Sequence, residues 1–178
     1  MIFVSGIHGI GKSYYCKYLG ERLGVAAYSA STLINQNGVI QYSGYKKVNH
    51  ILENQEYLIK AIKEKNQGNE KYLLDGHTCL INSKGRVIRI PYTTFEKIGM
   101  QAMIVLYGNI DWTYERIKER EKNVNWIEKD KLRHLQLEEI YYAEYIASSL
   151  SLPLTKVSVD MKFSDIIESC AQFINSAI

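Results

Sequence analysis

Apolar runs alternate with helix-spaced apolar stripes along this chain. Ile2 to Ser5 is a short, largely apolar run that meets a Gly-rich turn at Gly6, the pattern of a buried parallel strand. Beyond the turn, Cys16, Leu19 and Leu23 recur at helical spacing until Gly24 stops the pattern. Val25 to Tyr28, Tyr72 to Leu74, Ala102 to Leu106 and Leu154 to Val159 predict four further strands. Val48, Ile51, Leu52, Ile59 and Ile62 form one amphipathic stripe between them, and Ile166, Ile167, Cys170, Phe173, Ile174 and Ala177 form another. Strands alternating with helices predict parallel β-α-β units and an α/β domain of three layers, helices on both faces of one sheet. One passage breaks the rhythm. Cys79 to Ile90 has strand-like flanks around Asn82, Ser83, Lys84 and Gly85, which predicts a small β-hairpin inserted after the third strand. No internal repeat, low-complexity tract or linker divides the chain, so residues 1–178 read as a single domain.

Composition narrows the function classes. A chain of 178 residues with 46% hydrophobic residues can bury one continuous core. A charged fraction of 23% and a net charge of +3 exclude an acidic tail, a histone-like basic surface and compositional disorder, so nucleic acid is not an expected partner. Cys16, Cys79 and Cys170 are odd in number and none stands at Cys-x-x-Cys spacing, which argues against a disulfide framework or a zinc ribbon. Val25 to Tyr45 carries no charge, but Ser, Asn, Gln and Gly interrupt it, so it does not supply the about 20 apolar residues of a membrane span. Met1 leads into Ile-Phe-Val-Ser without a basic segment before it. A cytoplasmic protein without membrane partners is expected, and its oligomeric state is left open.

The chemistry enters at Gly6-Ile7-His8-Gly9-Ile10-Gly11-Lys12-Ser13, which satisfies Gly-x-x-x-x-Gly-Lys-Ser/Thr at every fixed position between a predicted strand and a predicted helix. Glycines permit positive φ and let successive backbone N–H groups turn inward around phosphate oxygens at the positive end of the following helix. Lys12 is placed to reach the β and γ phosphates of ATP and the Ser13 hydroxyl to ligate Mg²⁺. Gly6, His8, Gly9, Ile10, Gly11, Lys12, Ser13 and Tyr14 are the expected nucleotide contacts. The fold is thus expected to be that of a P-loop NTPase, which leaves the reaction open. Asp75 ends an apolar run and emerges at the carboxyl edge of a central strand, where open α/β sheets bind ligands. It either holds waters on Mg²⁺ or, with Gly76 after it, serves as a turn aspartate.

Gly6 to Ser13 at the amino terminus, with Leu73-Leu74-Asp75-Gly76 after an intervening helical segment, resembles a nucleoside monophosphate kinase of the adenylate kinase type over most of the chain. Asp75-Gly76-His77, preceded by a glutamine-bearing helix, resembles the archaeal members, and Asp111 to Arg120 resembles the family's lid entrance. The resemblance implies about five parallel strands in the order 2-3-1-4-5 and a short lid between Arg120 and Trp126. It also implies Arg116 over adenine, Arg120 on phosphates and Arg133 near the transferred phosphoryl group. Where many adenylate kinases follow Asp-Gly with Phe-Pro-Arg, this chain has His77, Thr78 and Cys79. Replacement charge at the acceptor site would come from Arg86 and Arg89 in the hairpin, or from Lys46 and Lys47.

Arg116 and Arg120 stand four apart and share one helix face, either as a phosphate clamp or as part of a solvated surface with Glu115, Lys118 and Glu119. Gln55 falls within an apolar stripe. A buried amide left unpaired costs about 1–3 kcal/mol, so Gln55 bonds either backbone or an acceptor base. Ser31 and Thr32 contact substrate or cap a helix. His77 contacts ligand or makes a structural hydrogen bond, and Tyr42, Tyr45 and Tyr57 stack on a base or pack. The function these residues imply is Mg-ATP-dependent phosphoryl transfer to a nucleoside monophosphate, with Lys12, Asp75, Arg116, Arg120 and Arg133 carrying the chemistry. Ser31, Lys46, Gln55, His77, Arg86 and Arg89 would bind the acceptor. The alternatives are a kinase for another small acceptor, or a P-loop switch or accessory ATPase acting on a protein partner.

Overall fold

The amino-terminal apolar run becomes β1 (Ile2–Gly6), a strand buried along its whole length. The computed structural model describes residues 1–37, 42–43, 47–48, 51–66, 71–82, 84–120 and 128–177. After β1 come α1 (Lys12–Leu23), β2 (Ala26–Ser29), α2 (Ala30–Asn37), a short pair β3 (Tyr42–Ser43) and β4 (Lys47–Val48), α3 (Ile51–Asn66) and β5 (Tyr72–Asp75). The chain continues through β6 (Cys79–Ile81), β7 (Val87–Arg89), α4 (Tyr92–Ile98), β8 (Ala102–Tyr107), α5 (Ile110–Arg120), α6 (Lys129–Ser149), β9 (Leu154–Ser158) and α7 (Phe163–Ala177). Gly24 ends α1 in the left-handed region at φ 67°, its N–H bonded to Gly20 O.

The main sheet has five parallel strands in the order β2-β5-β1-β8-β9. Counted along the chain this is the expected order 2-3-1-4-5. The buried strands β1, β5 and β8 are near-continuous apolar runs, as a parallel sheet covered on both faces requires. Helices α1 and α7 pack together on one face. On the other, Phe3 meets Phe95 of α4 edge-on at 5.7 Å, and Phe95 meets Tyr142 of α6 at 6.2 Å. The register levels Asp75 with Val4 of β1 and with Ser29 of β2, so the carboxyl ends of three strands open on one edge. The hairpin expected over Cys79 to Ile90 is present, with β6 and β7 antiparallel.

Two expectations need correction. Val48 lies in β4 rather than on the helix, and Leu52 is 67% exposed. The buried face of α3 is Asn54, Gln55, Leu58, Ala61 and Ile62, because two amides occupy core positions that an apolar count passes over. The β3–β4 pair arises in a polar stretch with no alternation to announce it. The lid between Arg120 and Trp126, Lys46, Tyr45 and the side chains of Tyr42 and Lys47 lie outside the described residues. Cys16, Cys79 and Cys170 are buried free thiols, and burial pushes Cys79 and Cys170 up to about 12. No described helix is long and apolar enough to cross a membrane.

Candidate active site

The loop leaving β1 wraps the amino terminus of α1. Gly9 (φ 84°) and Gly11 (φ 102°) take conformations that L-residues avoid. A Cβ on Gly9 would also stand 2.5 Å from Ile117 Cγ1, so the loop is seated directly on α5. Ile10 is fully buried, which commits its side chain to packing and leaves its backbone to the loop. Lys12, only 8% exposed, folds back over this cradle. Its Nζ donates to Gly6 O at 2.8 Å and to Ile7 O at 3.2 Å, and lies 3.3 Å from His77 Nε2. A cation is thereby held at the positive end of a helix, an arrangement suited to an anion rather than to packing.

Ser13 and Asp75 border one groove beneath the first turn of α1, and the nearness of Asp75 adds to burial in raising the Cys16 thiol. A hydroxyl and a carboxylate form the sparse oxygen donor set with which Mg²⁺ sits on nucleotide phosphates, so these residues fit that ion. Arg116 and Arg120 both turn from α5 toward the loop. The Arg116 guanidinium stacks on Trp112 at 4.7 Å and lies 3.4 Å from a Cβ built on Gly11, while Arg120 bonds His8 Nε2. The solvated charges of α5 stand apart from them, with Lys118 paired to Glu115 at 2.9 Å. Tyr14, half exposed, joins Tyr18 and Phe163 in an aromatic group beside the loop.

Glu139 is the residue that sequence reasoning missed. It stands on the buried face of α6 between Leu135 and Tyr142 and is 1% exposed. Its Oε1 accepts the N–H of Gly6 at 3.1 Å and of Thr78 at 2.8 Å, and its Oε2 accepts that of Cys79 at 2.8 Å. Burial pushes this carboxyl up to about 7, against the pull of those N–H donors and of the Lys12 charge. One carboxylate therefore ties the start of the phosphate loop to the segment after β5. Three residues earlier, Gln136 bonds Gly108 at both its N–H (3.0 Å) and its carbonyl (3.1 Å), fixing the exit of β8. The available signal was an acid at a helical position where the spacing calls for an apolar residue.

A cavity of about 360 Å³ opens beside the loop, with Phe3, Ile34, Leu58 and Phe95 among its walls. Its polar lining includes His8, Ser29, Ser31, Asn54, Gln55, Asp75, His77 and Thr94. Ser31 bonds Ser29 through their hydroxyls at 2.9 Å. Gln55 Oε1 is buried without a partner, which excludes for that atom the backbone bond left open by the sequence. Four expected residues are absent from the cavity walls. Arg89 grips Glu138 through Nε (3.1 Å) and Nη2 (2.9 Å) and covers Tyr142 at 5.0 Å, because alternation along β7 turns it to α6. Arg86 is absent from the cavity walls. Arg133 pairs with Asp130 at 2.6 Å on the exposed first turn of α6. Tyr57 stands on the exposed side of α3, 39% accessible.

Residues 5–136 match the family model described as an AAA domain. No curated protein matches the chain. Among solved structures, a gluconokinase from Sinorhizobium meliloti 1021 superposes with a TM-score of 0.56 at 16% identity, over 99% of this chain and 92% of that one. An uncharacterized protein from Eubacterium ventriosum ATCC 27560 gives 0.56 at 16% identity, over 98% and 97%. A sugar kinase from Janibacter sp. HTCC2649 gives 0.59 at 13% identity, over 98% and 93%. At such identities the likeness establishes the fold alone, a five-stranded parallel sheet flanked by helices. The chain belongs to the AAA domain family, whose model spans its phosphate loop, nearly all of the cavity lining and the start of α6.

Proposed function

We propose that the protein is a phosphotransferase that moves the γ-phosphoryl group of Mg-ATP onto a small molecule held in the cavity beside the P-loop. The observation that carries this reading is the placement of Lys12. Its Nζ bonds the loop carbonyls of Gly6 and Ile7 and lies 3.3 Å from His77 Nε2, and His77 lines the cavity. The donor cradle and the acceptor chamber thus share a wall. Loop N–H groups and Lys12 hold the donor phosphates, and Arg116 and Arg120 face the same loop to absorb charge that develops on the moving group. Ser13 and Asp75 would hold Mg²⁺, which would supply charge neutralisation at the donor phosphates.

The resemblance to adenylate kinases supports a nucleoside monophosphate as acceptor, through the Asp75-Gly76-His77 segment and the glutamine of α3. A plain hydroxyl acceptor is favoured by the two structural neighbours described as a gluconokinase and a sugar kinase. Either way the donor site is tested by Lys12→Ala, for which no second lysine stands in the loop. The variant is expected to fold and to lose at least about 10²-fold in acceptor-dependent ATP turnover, the scale for removing one preorganised charge donor. Wild-type turnover by folded Lys12→Ala protein refutes the assignment.

A further inference from the structure

We infer that the acceptor is an uncharged nucleoside-like alcohol, a flat or apolar body bearing an N–H group and one reactive hydroxyl, rather than a phosphate ester. The inference rests on the phosphotransferase reading above and specifies the substrate class of its cavity.

Charge is the first argument. No lysine or arginine lines the cavity among the described residues, whereas the carboxylate of Asp75, itself 7% exposed, does. A phosphate ester seated among these walls would find no lysine or arginine of the described residues to pair with, and buried ions need pairing. Of the two hairpin arginines expected to supply a counter-charge, Arg89 instead donates through Nε and Nη2 to Glu138 Oε2, and Arg86 is absent from the cavity walls. Lys12 and Arg120 stand at the loop end, on Gly6, Ile7 and His8, where they serve the phosphoryl group being moved.

Shape and polarity supply the second argument. A volume of about 360 Å³ lies at the small end of the ~300–1,000 Å³ range of ligand pockets, so it takes a molecule of nucleoside size or less. Phe3, Ile34, Leu58 and Phe95 present an apolar enclosure suited to a flat ring. Within it Gln55 is 5% exposed, and its Oε1 has no donor. An acceptor oxygen left bare in an apolar chamber is satisfied by a ligand N–H. Asp75 and His77 line the part of the chamber that meets Lys12, which sets the hydroxyl end of the ligand. There the hydroxyl oxygen forms the new bond to Pγ and its proton passes to an oxygen of the transferred phosphoryl group. The bond from Pγ to the bridging oxygen breaks, and ADP leaves.

Calorimetric titration of the full chain with adenosine, guanosine, cytidine and thymidine, each against its 5′-monophosphate, tests this with and without a non-hydrolysable ATP analogue and Mg²⁺. At least one nucleoside is expected to bind tenfold or more tightly than its monophosphate. Gln55→Leu is expected to weaken that nucleoside about tenfold, the scale of one hydrogen bond, while the ATP analogue still binds. Gln55→Met keeps the side-chain length and serves where Gln55→Leu does not fold. Tighter binding by the monophosphate in every pair overturns the inference, as does failure of every nucleoside at millimolar concentration. A preferred nucleoside unaffected by either Gln55 variant overturns the role of the amide. Loss of ATP-analogue binding in the wild-type chain instead refutes the phosphotransferase reading, and the titrations without analogue still report on the cavity.

Discussion

Glu139→Gln separates the charge of the buried carboxylate from its shape. With its amide oxygen in the place of Oε1, the new side chain still accepts the N–H groups of Gly6 and Thr78. Its NH₂ then faces the N–H of Cys79, donor against donor, where Oε2 had accepted at 2.8 Å. One buried N–H without an acceptor costs about 1–3 kcal/mol. Against this stands the charge. Burial raises the carboxyl from 4.5 to about 7, so the folded state holds the proton more tightly than the unfolded state does. That contribution is fully present below pH 4.5 and is lost as the pH rises to about 7. Its magnitude is about 3 kcal/mol.

The amide does not titrate. Glu139→Gln is therefore expected to be less stable than wild type by about 1–3 kcal/mol near pH 5, and to match or exceed it by pH 8. Urea unfolding of both proteins at steps from about pH 5 to 9 reads the difference directly, because the other titrating groups are common to the two chains. Parallel stability curves would refute the reasoning. They would mean that the N–H donors and Lys12 already compensate the charge in full. Glu139→Ala is the control. It strands three buried donors at about 1–3 kcal/mol each, a sum that reaches the ~5–15 kcal/mol stability of a whole domain, so it is expected not to fold.

Arg120→Ala is expected to lower kcat more than it raises the KM for ATP, because a contact to the moving group strengthens as charge develops, while Arg116→Ala shows the opposite bias. Unchanged kinetics in both return α5 to a merely solvated face. Arg89→Ala is expected to leave the acceptor KM within about twofold and to cost at most about 1 kcal/mol, as for a half-exposed ion pair, and a tenfold rise in acceptor KM would place Arg89 at the acceptor after all.

The frame was legible because each of its parts is written locally. Buried parallel strands read as apolar runs, the glycines of the phosphate loop stand at fixed spacing, and Asn82 to Gly85 mark the hairpin turn. What escaped depends on residues far apart in sequence. Glu139 gains its meaning from Gly6, Thr78 and Cys79, which lie 133, 61 and 60 residues away. Asn54 and Gln55 blurred the buried face of α3, because a period of apolar residues does not register amides at core positions. Helical spacing could say that Arg116 and Arg120 share a face, and the structure turns that face to the loop. Nothing in the spacing of β7 said that Arg89 would be taken by Glu138 on α6.

Helix α6 explains how a cavity that departs from the adenylate kinase pattern can stand beside so regular a phosphate loop. Gln136, Glu139 and Tyr142 follow one another at three-residue intervals on its inner face. They bond the backbone of Gly108 after β8, of Gly6, Thr78 and Cys79 after β1 and β5, and of Ile90 after β7, the last at 2.7 Å. Every one of these bonds is to main chain, so none depends on which side chains stand at positions 77–79. The mouth of the cleft is held by a single rigid element, while its lining, from Ser31 and Gln55 to His77, is free to differ. That His77, Thr78 and Cys79 stand where many adenylate kinases have Phe-Pro-Arg therefore bears on the lining of the cavity and not on the bonds that fix the phosphate loop. The same separation makes the acceptor and donor experiments independent, since substitutions on α3 alter the chamber and leave untouched the bonds by which α6 fixes Gly6 and Gly108.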